Sequence, residues 1–300
     1  RQIDTDDEEL DAFLFSLGGM SVFDSICHSM ATTATGGFST RNASIAAFDS
    51  AYIEYVTIFF MFLSGINFTL LFLAFFKGRV GKLFSDTEFH WYASIVGVFT
   101  LVIALGLVIV RGGQIEESFR EALFQVVSVQ TTTGFVSADY MLWPPVLWFL
   151  LSVVMYFGAC AGSTSGAIKC VRIAMLLKVV RNEILRIVHP NAVIPLRISG
   201  HVIHSKAKIT LLAFFVLYVL VIFIGWVVMM ALGLDFMDAY GVVVSSVSNV
   251  GPGLGNYSGI HSWAHLPDAA KWVSAFLMLI GRLELFSVLL LLTPGFWQKR

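Results

Sequence analysis

Charge is what this sequence has least of. Asp, Glu, Lys and Arg make up 13% of its 300 residues, about half the roughly 25% usual in soluble domains. With 57% hydrophobic residues and a mean hydropathy of +0.81, a fold in water has too little polar surface to cover itself. The solvent for this chain is a bilayer. Cysteine is scarce as well. Cys27, Cys160 and Cys170 fit no metal-ligand spacing and read as small buried hydrophobes. The net charge of −1 lacks the basic excess that nucleic-acid binding needs. The chain opens RQIDTDDEELDAF, without a signal peptide or an initiating methionine, and reads as the middle of a longer protein.

What is present repeats. Three stretches carry a carboxylate, a small residue and, twelve positions later, a glycine: Asp24-Ser25…Gly37, Glu121-Ala122…Gly134 and Asp238-Ala239…Gly251. Each glycine closes a mostly uncharged segment bearing Ser or Thr (ATTATGGF, SVQTTTGF, SSVSNVGPG), and a long apolar run follows. This is the layout of a re-entrant half-helix, a tight turn and a spanning helix. Apolar stretches of spanning length, about 20 residues, are expected near 51–76, 91–110, 143–166, 208–233 and 270–293, with the third interrupted by FGACAGSTSGA and the others less so.

Thirteen of the nineteen Lys and Arg residues fall after the first span, between the third and fourth, or at the chain end, alternating correctly with the spans. Lys77, Arg79, Lys82, Lys169, Arg172, Lys299 and Arg300 are among them. That side reads as cytoplasmic, so all three glycine segments face outside. Units that share one orientation are related by an axis along the membrane normal, whereas inverted-repeat transporters alternate.

A half-helix such as 24–34 is about 16 Å long and stops near mid-membrane. Non-helical backbone at that depth is tolerated where it is buried or lines a watery cavity. The C-terminal helix ends, with their free carbonyls and partial negative charge, favour a cation. Asp24, Glu121 and Asp238 are expected at the opposite ends as caps. Glycine lets the following carbonyls turn inward and replace an ion's hydration shell. Thr35-Gly36-Gly37, Thr132-Thr133-Gly134 and Asn249-Val250-Gly251 are the expected potassium-binding filter. A single such turn also fits a helix-packing notch; three in one register argue for a pore.

ICHSMATTATGGFSTRNASI, FQVVSVQTTTGF, GACAGSTSGAIKCVRI, HPNAVIPLR, NVGPGLG and GRLELFSVLLLLTPGFW resemble the bacterial TrkH/KtrB potassium-uptake family, nearer its TrkH branch, over essentially the whole chain. The resemblance implies an all-α membrane protein of four repeats, each of outer helix, re-entrant pore helix, filter loop and inner helix, around one pore in the bacterial inner membrane. It further implies a homodimer and a cytosolic nucleotide-binding regulatory ring, TrkA-like. On that template the first repeat is absent. Residues 1–90 hold the pore loop and inner helix of repeat two, 91–206 repeat three with its broken inner helix and basic segment, and 207–300 repeat four.

Residues Gly158, Gly162, Ser163, Thr164, Ser165 and Gly166 break the third span with small and hydroxyl side chains. Such a stretch also suits close helix packing; the resemblance makes it an intramembrane loop that gates the pore. Arg282 is an intramembrane charge, which needs a partner or a cavity. A pair with Glu284, two positions on, is disfavoured by helix geometry. The resemblance places Arg282 against the gating loop, while pairing with a buried carboxylate or helix-end carbonyls stays open. Asn67 reads as a helix–helix hydrogen bond and His28 as a buried, bonded histidine. The basic stretch 169–208 suits a regulatory partner or anionic lipid.

Gated, channel-like potassium uptake down the electrochemical gradient is the leading reading, with potassium the permeant ion and no organic cofactor. A proton- or sodium-coupled symporter is the alternative, for which Glu284 and Arg282 are the few ionisable candidates. An intramembrane serine hydrolase fails because GSTSG lacks the glycine two before Ser165, so no enzyme is expected. A non-conducting scaffold rests only on the missing repeat.

Overall fold

A computed structural model describes residues 2–112, 114–190, 194–198, 201–203, 205–291 and 293–297. Lys299, Arg300 and the centre of HPNAVIPLR lie outside the described residues. The described chain is helical apart from one short antiparallel hairpin, Arg197–Ile198 with His201–Val202. In order the helices are α1 (Gln2–Leu17), α2 (Val22–Thr33), α3 (Ala51–Ser64), α4 (Phe68–Phe75), α5 (Val80–Ser85), α6 (Thr87–Arg111) and α7 (Ile115–Gln130). They continue with α8 (Pro145–Val154), α9 (Cys170–Val188), α10 (Ser205–Ala231), α11 (Phe236–Ser248), α12 (Asp268–Arg282), α13 (Phe286–Leu291) and α14 (Pro294–Trp297).

Among the described residues, α6 and α10 are the two continuous helices long and apolar enough to cross a membrane. Both expose bulky apolar side chains, Leu101, Leu105 and Ile109 on α6 and Val219, Phe223 and Ile224 on α10, as a helix in lipid does. The expected span 51–76 is instead two helices, α3 and α4, bent by 105°. The expected span 270–293 breaks at 283–285, where Glu284 and Leu285 take φ of +56° and +46°. The third span is interrupted as expected, between α8 and α9. Hydropathy counts side chains and does not register a backbone turn. At the first break Asn67 Oδ1 accepts from Thr69 N–H at 2.8 Å and caps α4. Its Nδ2 bonds the Ala161 carbonyl at 2.6 Å, so its partner is a loop and not the helix that was expected.

The three half-helices α2, α7 and α11 sit inside this cage. On α7 every residue from Phe124 to Gln130 is buried, polar Gln125, Ser128 and Gln130 included, and on α11 every residue from Gly241 to Ser248. One hydrophobic cluster joins α7 to α6, α8, α10, α11 and α12, and a second joins it to α1, α3 and α6. Ion pairs fix the N-terminal half of α7: Arg120 to Glu54 of α3 at 2.5 Å and Arg111 of α6 to Glu121 at 2.9 Å. Interior packing of this kind lets irregular backbone follow α7 at membrane depth.

Candidate functional site

The half-helices end in three turns built to one plan. In each, an amide one position before the glycine donates to a carbonyl five residues back: Gly36 to Ala31 at 2.7 Å, Thr133 to Ser128 at 3.0 Å and Val250 to Ser245 at 3.1 Å. Two positions before the glycine the chain is left-handed, at Thr35 (φ +49°), Thr132 (+57°) and Asn249 (+56°). The glycine is left-handed again, at Gly37 (+67°), Gly134 (+83°) and Gly251 (+105°). A Thr or Asn at positive φ is uncommon and a threonine there is strained. The same departure at three matching positions marks a conformation the fold enforces.

The turns touch in sequence. The Thr133 carbonyl lies so close to Gly37 that a Cβ there would collide with it, and the Val250 carbonyl meets Gly134 in the same way. A Cβ on Gly251 would meet nothing within 4 Å. All nine expected filter residues, Thr35, Gly36, Gly37, Thr132, Thr133, Gly134, Asn249, Val250 and Gly251, line one cavity of about 700 Å³. The structure brings them together as a set.

Asp24 and Asp238 lie in the first turns of α2 and α11, where their charge complements the helix dipole as expected, but neither is the N-cap residue. Ser21, not Asp24, caps α2. Asp24 accepts from Thr40 at 2.5 Å and Arg41 at 3.1 Å, and Asp238 from the Asn256 backbone and side chain, each at 2.9 Å. Both brace the segment that returns from the turn. Glu121 lies in the seventh position of α7, which starts earlier than expected, and pairs with Arg111. His28 is buried; its Nδ1 donates to the Asp24 carbonyl at 2.7 Å, leaving Nε2 to accept from Ser39 at 2.8 Å.

Residues 158–167 press against the inner ends of all three half-helices. Gly166 N–H donates to Thr132 Oγ1 at 2.6 Å, Ala167 N–H to the Ser248 carbonyl at 2.9 Å, and Thr164 Oγ1 reaches the Thr33 carbonyl at 3.5 Å. The loop is also tied sideways to the α3–α4 break, by Cys160 N–H to the Gly65 carbonyl at 3.0 Å and Phe68 N–H to the Gly162 carbonyl at 3.3 Å. Ser163 Oγ bonds the Cys160 carbonyl at 2.6 Å and Ser165 Oγ at 2.9 Å. Buried Gly158 donates its N–H to the Ile168 carbonyl at 2.8 Å.

Two cations hold the loop. Arg282 Nη1 donates to the Thr164 carbonyl at 2.9 Å. Glu284 pairs with Arg172 at 2.5 Å. Lys169, which the charge pattern counts among the cytoplasmic basic residues, turns up to Ser165 instead, donating to its carbonyl and to Oγ at 3.1 Å. Lys169 and Arg282 share a cavity of about 250 Å³ with the loop. Sequence reasoning missed Lys169; its one signal was its place three residues after a glycine-rich break.

Half-helices that end in carbonyl-bearing turns around one cavity, inside helices that expose apolar side chains, are the architecture of a membrane protein. The family profile described as TrkH, cation transport protein, matches residues 10–299, and the chain belongs to that family. It is 38% identical to the Trk system potassium uptake protein TrkH of Halomonas elongata over 96% of this chain and 59% of that protein. To the TrkG potassium uptake protein of Escherichia coli it is 32% identical over 95% of this chain and 58% of that one. The crystal structure of the potassium transporter TrkH from Vibrio parahaemolyticus superposes with a TM-score of 0.91 at 38% identity, covering 97% of this chain and 63% of that chain. The chain thus spans about 60% of the length of the curated relatives it matches.

Proposed function

We propose that this chain forms three sides of a gated potassium pore in a bacterial inner membrane, with its turns outside and its basic segments in the cytoplasm. The observation that carries the reading is the run of contacts in which each turn's carbonyl seats on the preceding turn's glycine. Carbonyls stacked that way present a ring of oxygen dipoles to a dehydrated cation. Two such contacts exist, Thr133 on Gly37 and Val250 on Gly134. A fourth turn between Gly251 and Gly36 completes the ring, which fits four repeats with boundaries near residues 90 and 206.

Loop 158–167 is the gate, and Arg282 and Lys169 are its latches. Permeation follows the electrochemical gradient; the membrane potential supplies about 2.3 kcal/mol per charge per 100 mV. Coupled symport needs a free ionisable group in the path, and Glu284 and Arg282 are both engaged, with Arg172 and the Thr164 carbonyl. A homodimer and a nucleotide-binding TrkA-like ring on the cytoplasmic face complete the proposal.

Gly134→Ser in the full-length transporter tests the filter. A side chain at φ +83°, pushed against Val250, must displace that carbonyl. The expected outcome is a potassium-to-sodium permeability ratio lowered roughly tenfold, the weight of about 1.4 kcal/mol. An unchanged ratio in a protein that still conducts overturns the filter assignment.

A further inference from the structure

Glu88 is a buried carboxylate that the pore reading does not use. It is the second residue of α6 and is 9% exposed. Its Oε1 accepts two backbone amides, Ala161 N–H at 2.6 Å and Val171 N–H at 3.3 Å. Those amides lie on opposite sides of the 162–169 turn. Ala161 is held from its other face by Asn67, and Val171 opens the first turn of α9. The first amides of a helix have no partner within it, and a negative charge there also complements the helix dipole. Glu88 is itself fixed, since its own N–H donates to Asp86 Oδ1 at 2.9 Å in the N-cap of α6.

We propose that Glu88 is the positioning residue that keeps loop 158–167 folded across the pathway, by gathering both arms of the loop onto one carboxylate oxygen. The inference rests on the reading of that loop as the gate. Hydrogen bonds to an ionised acceptor are about twice as strong as neutral ones. Without the carboxylate, two half-buried amides lose their acceptor. One oxygen bonded to both α9 and the loop also couples them: displacement of α9 breaks the Val171 bond and loosens the same anchor that holds Ala161. The exposed basic segment 77–85 leads through the Asp86 cap to this anchor, so a pull on that segment reaches the loop.

The native cysteines report on this directly. Cys160 and Cys170, both buried, immediately precede the two amides that Glu88 holds, while half-buried Cys27 lies on α2 and adjoins neither amide. Glu88→Ala, Glu88→Gln and Glu88→Asp are made in the full-length transporter in proteoliposomes. Maleimide labelling of each cysteine is mapped by mass spectrometry beside basal potassium flux and the potassium-to-sodium ratio. Glu88→Ala is expected to raise labelling of Cys160 and Cys170 and basal flux by about tenfold, the weight of one hydrogen bond to a charged group. The ion ratio and Cys27 labelling stay unchanged. Glu88→Gln falls between, because an amide oxygen still accepts without the charge. Unchanged labelling at both Cys160 and Cys170 overturns the inference. Raised labelling with flat flux upholds Glu88 as the anchor and overturns the loop as the gate. If Glu88→Ala does not assemble, Glu88→Gln and Glu88→Asp decide on the same readouts.

Discussion

Thr132 serves two structures at once. Its backbone takes the left-handed turn of the proposed filter, while its Oγ1 accepts from Gly166 N–H in loop 158–167. The two roles separate chemically. Thr132→Val keeps the β-branched shape and removes the acceptor, leaving a buried amide unpaired at a cost of about 1–3 kcal/mol; Thr132→Ser keeps the acceptor. Thr132→Val is expected to raise open probability in single-channel recordings with the potassium-to-sodium ratio intact, and Thr132→Ser to behave as the parent. A ratio that falls with Thr132→Val while gating holds steady places the hydroxyl in the filter instead. The carboxylates carry a related lesson. Asp24 and Asp238 stand at matching places in their half-helices and both grip the returning segment, through Thr40 and Arg41 in one unit and Asn256 in the other. Their regular spacing from Gly37 and Gly251 comes from bracing the turn and not from capping the helix.

At the scale of elements, the breaks do the mechanical work. The α3–α4 bend supplies Gly65 and Asn67 to the loop, and the α12–α13 break lets Arg282 reach Thr164 while Glu284 turns to Arg172. Arg282→Ala removes one charged donor from the loop and is expected to raise macroscopic conductance roughly tenfold. Lys169→Met acts in the same direction through Ser165, and the pair together exceeds either alone. Conductance unmoved by both removes these two side chains from the gate. The half-helices were legible in the sequence because their signal is local: a carboxylate, hydroxyls and a glycine at fixed spacing. The interruption at GACAGSTSG was legible for the same reason, three glycines in a short stretch. The other two breaks were not. AYIEYVTIFFMFLSGINFTLLFLAFF holds a single glycine in an apolar run, and its 105° bend depends on Asn67 finding the Ala161 carbonyl 94 residues away. Lys169 was misread for a like reason: charge patterning counts a lysine near a helix end as solvated, and only the fold shows a loop carbonyl within reach.

For the whole molecule, the proposed filter is a property of an arrangement. The TM-score of 0.91 to the Vibrio parahaemolyticus transporter, over 63% of that chain, fits a chain that contributes part of a larger body. Liposomes holding this 300-residue chain alone are expected to show no potassium-selective flux, whereas the full-length transporter does. Selective flux from the chain alone overturns a four-sided ring. The contacts between turns carry a consequence for tuning. Thr133 rests on Gly37 and Val250 on Gly134, so no turn can shift without unseating its neighbour. In the proposed filter a substitution in one turn therefore presses on the turn beside it, so a single variant such as Gly134→Ser reads the joint effect, and pairs of variants apportion it between neighbours.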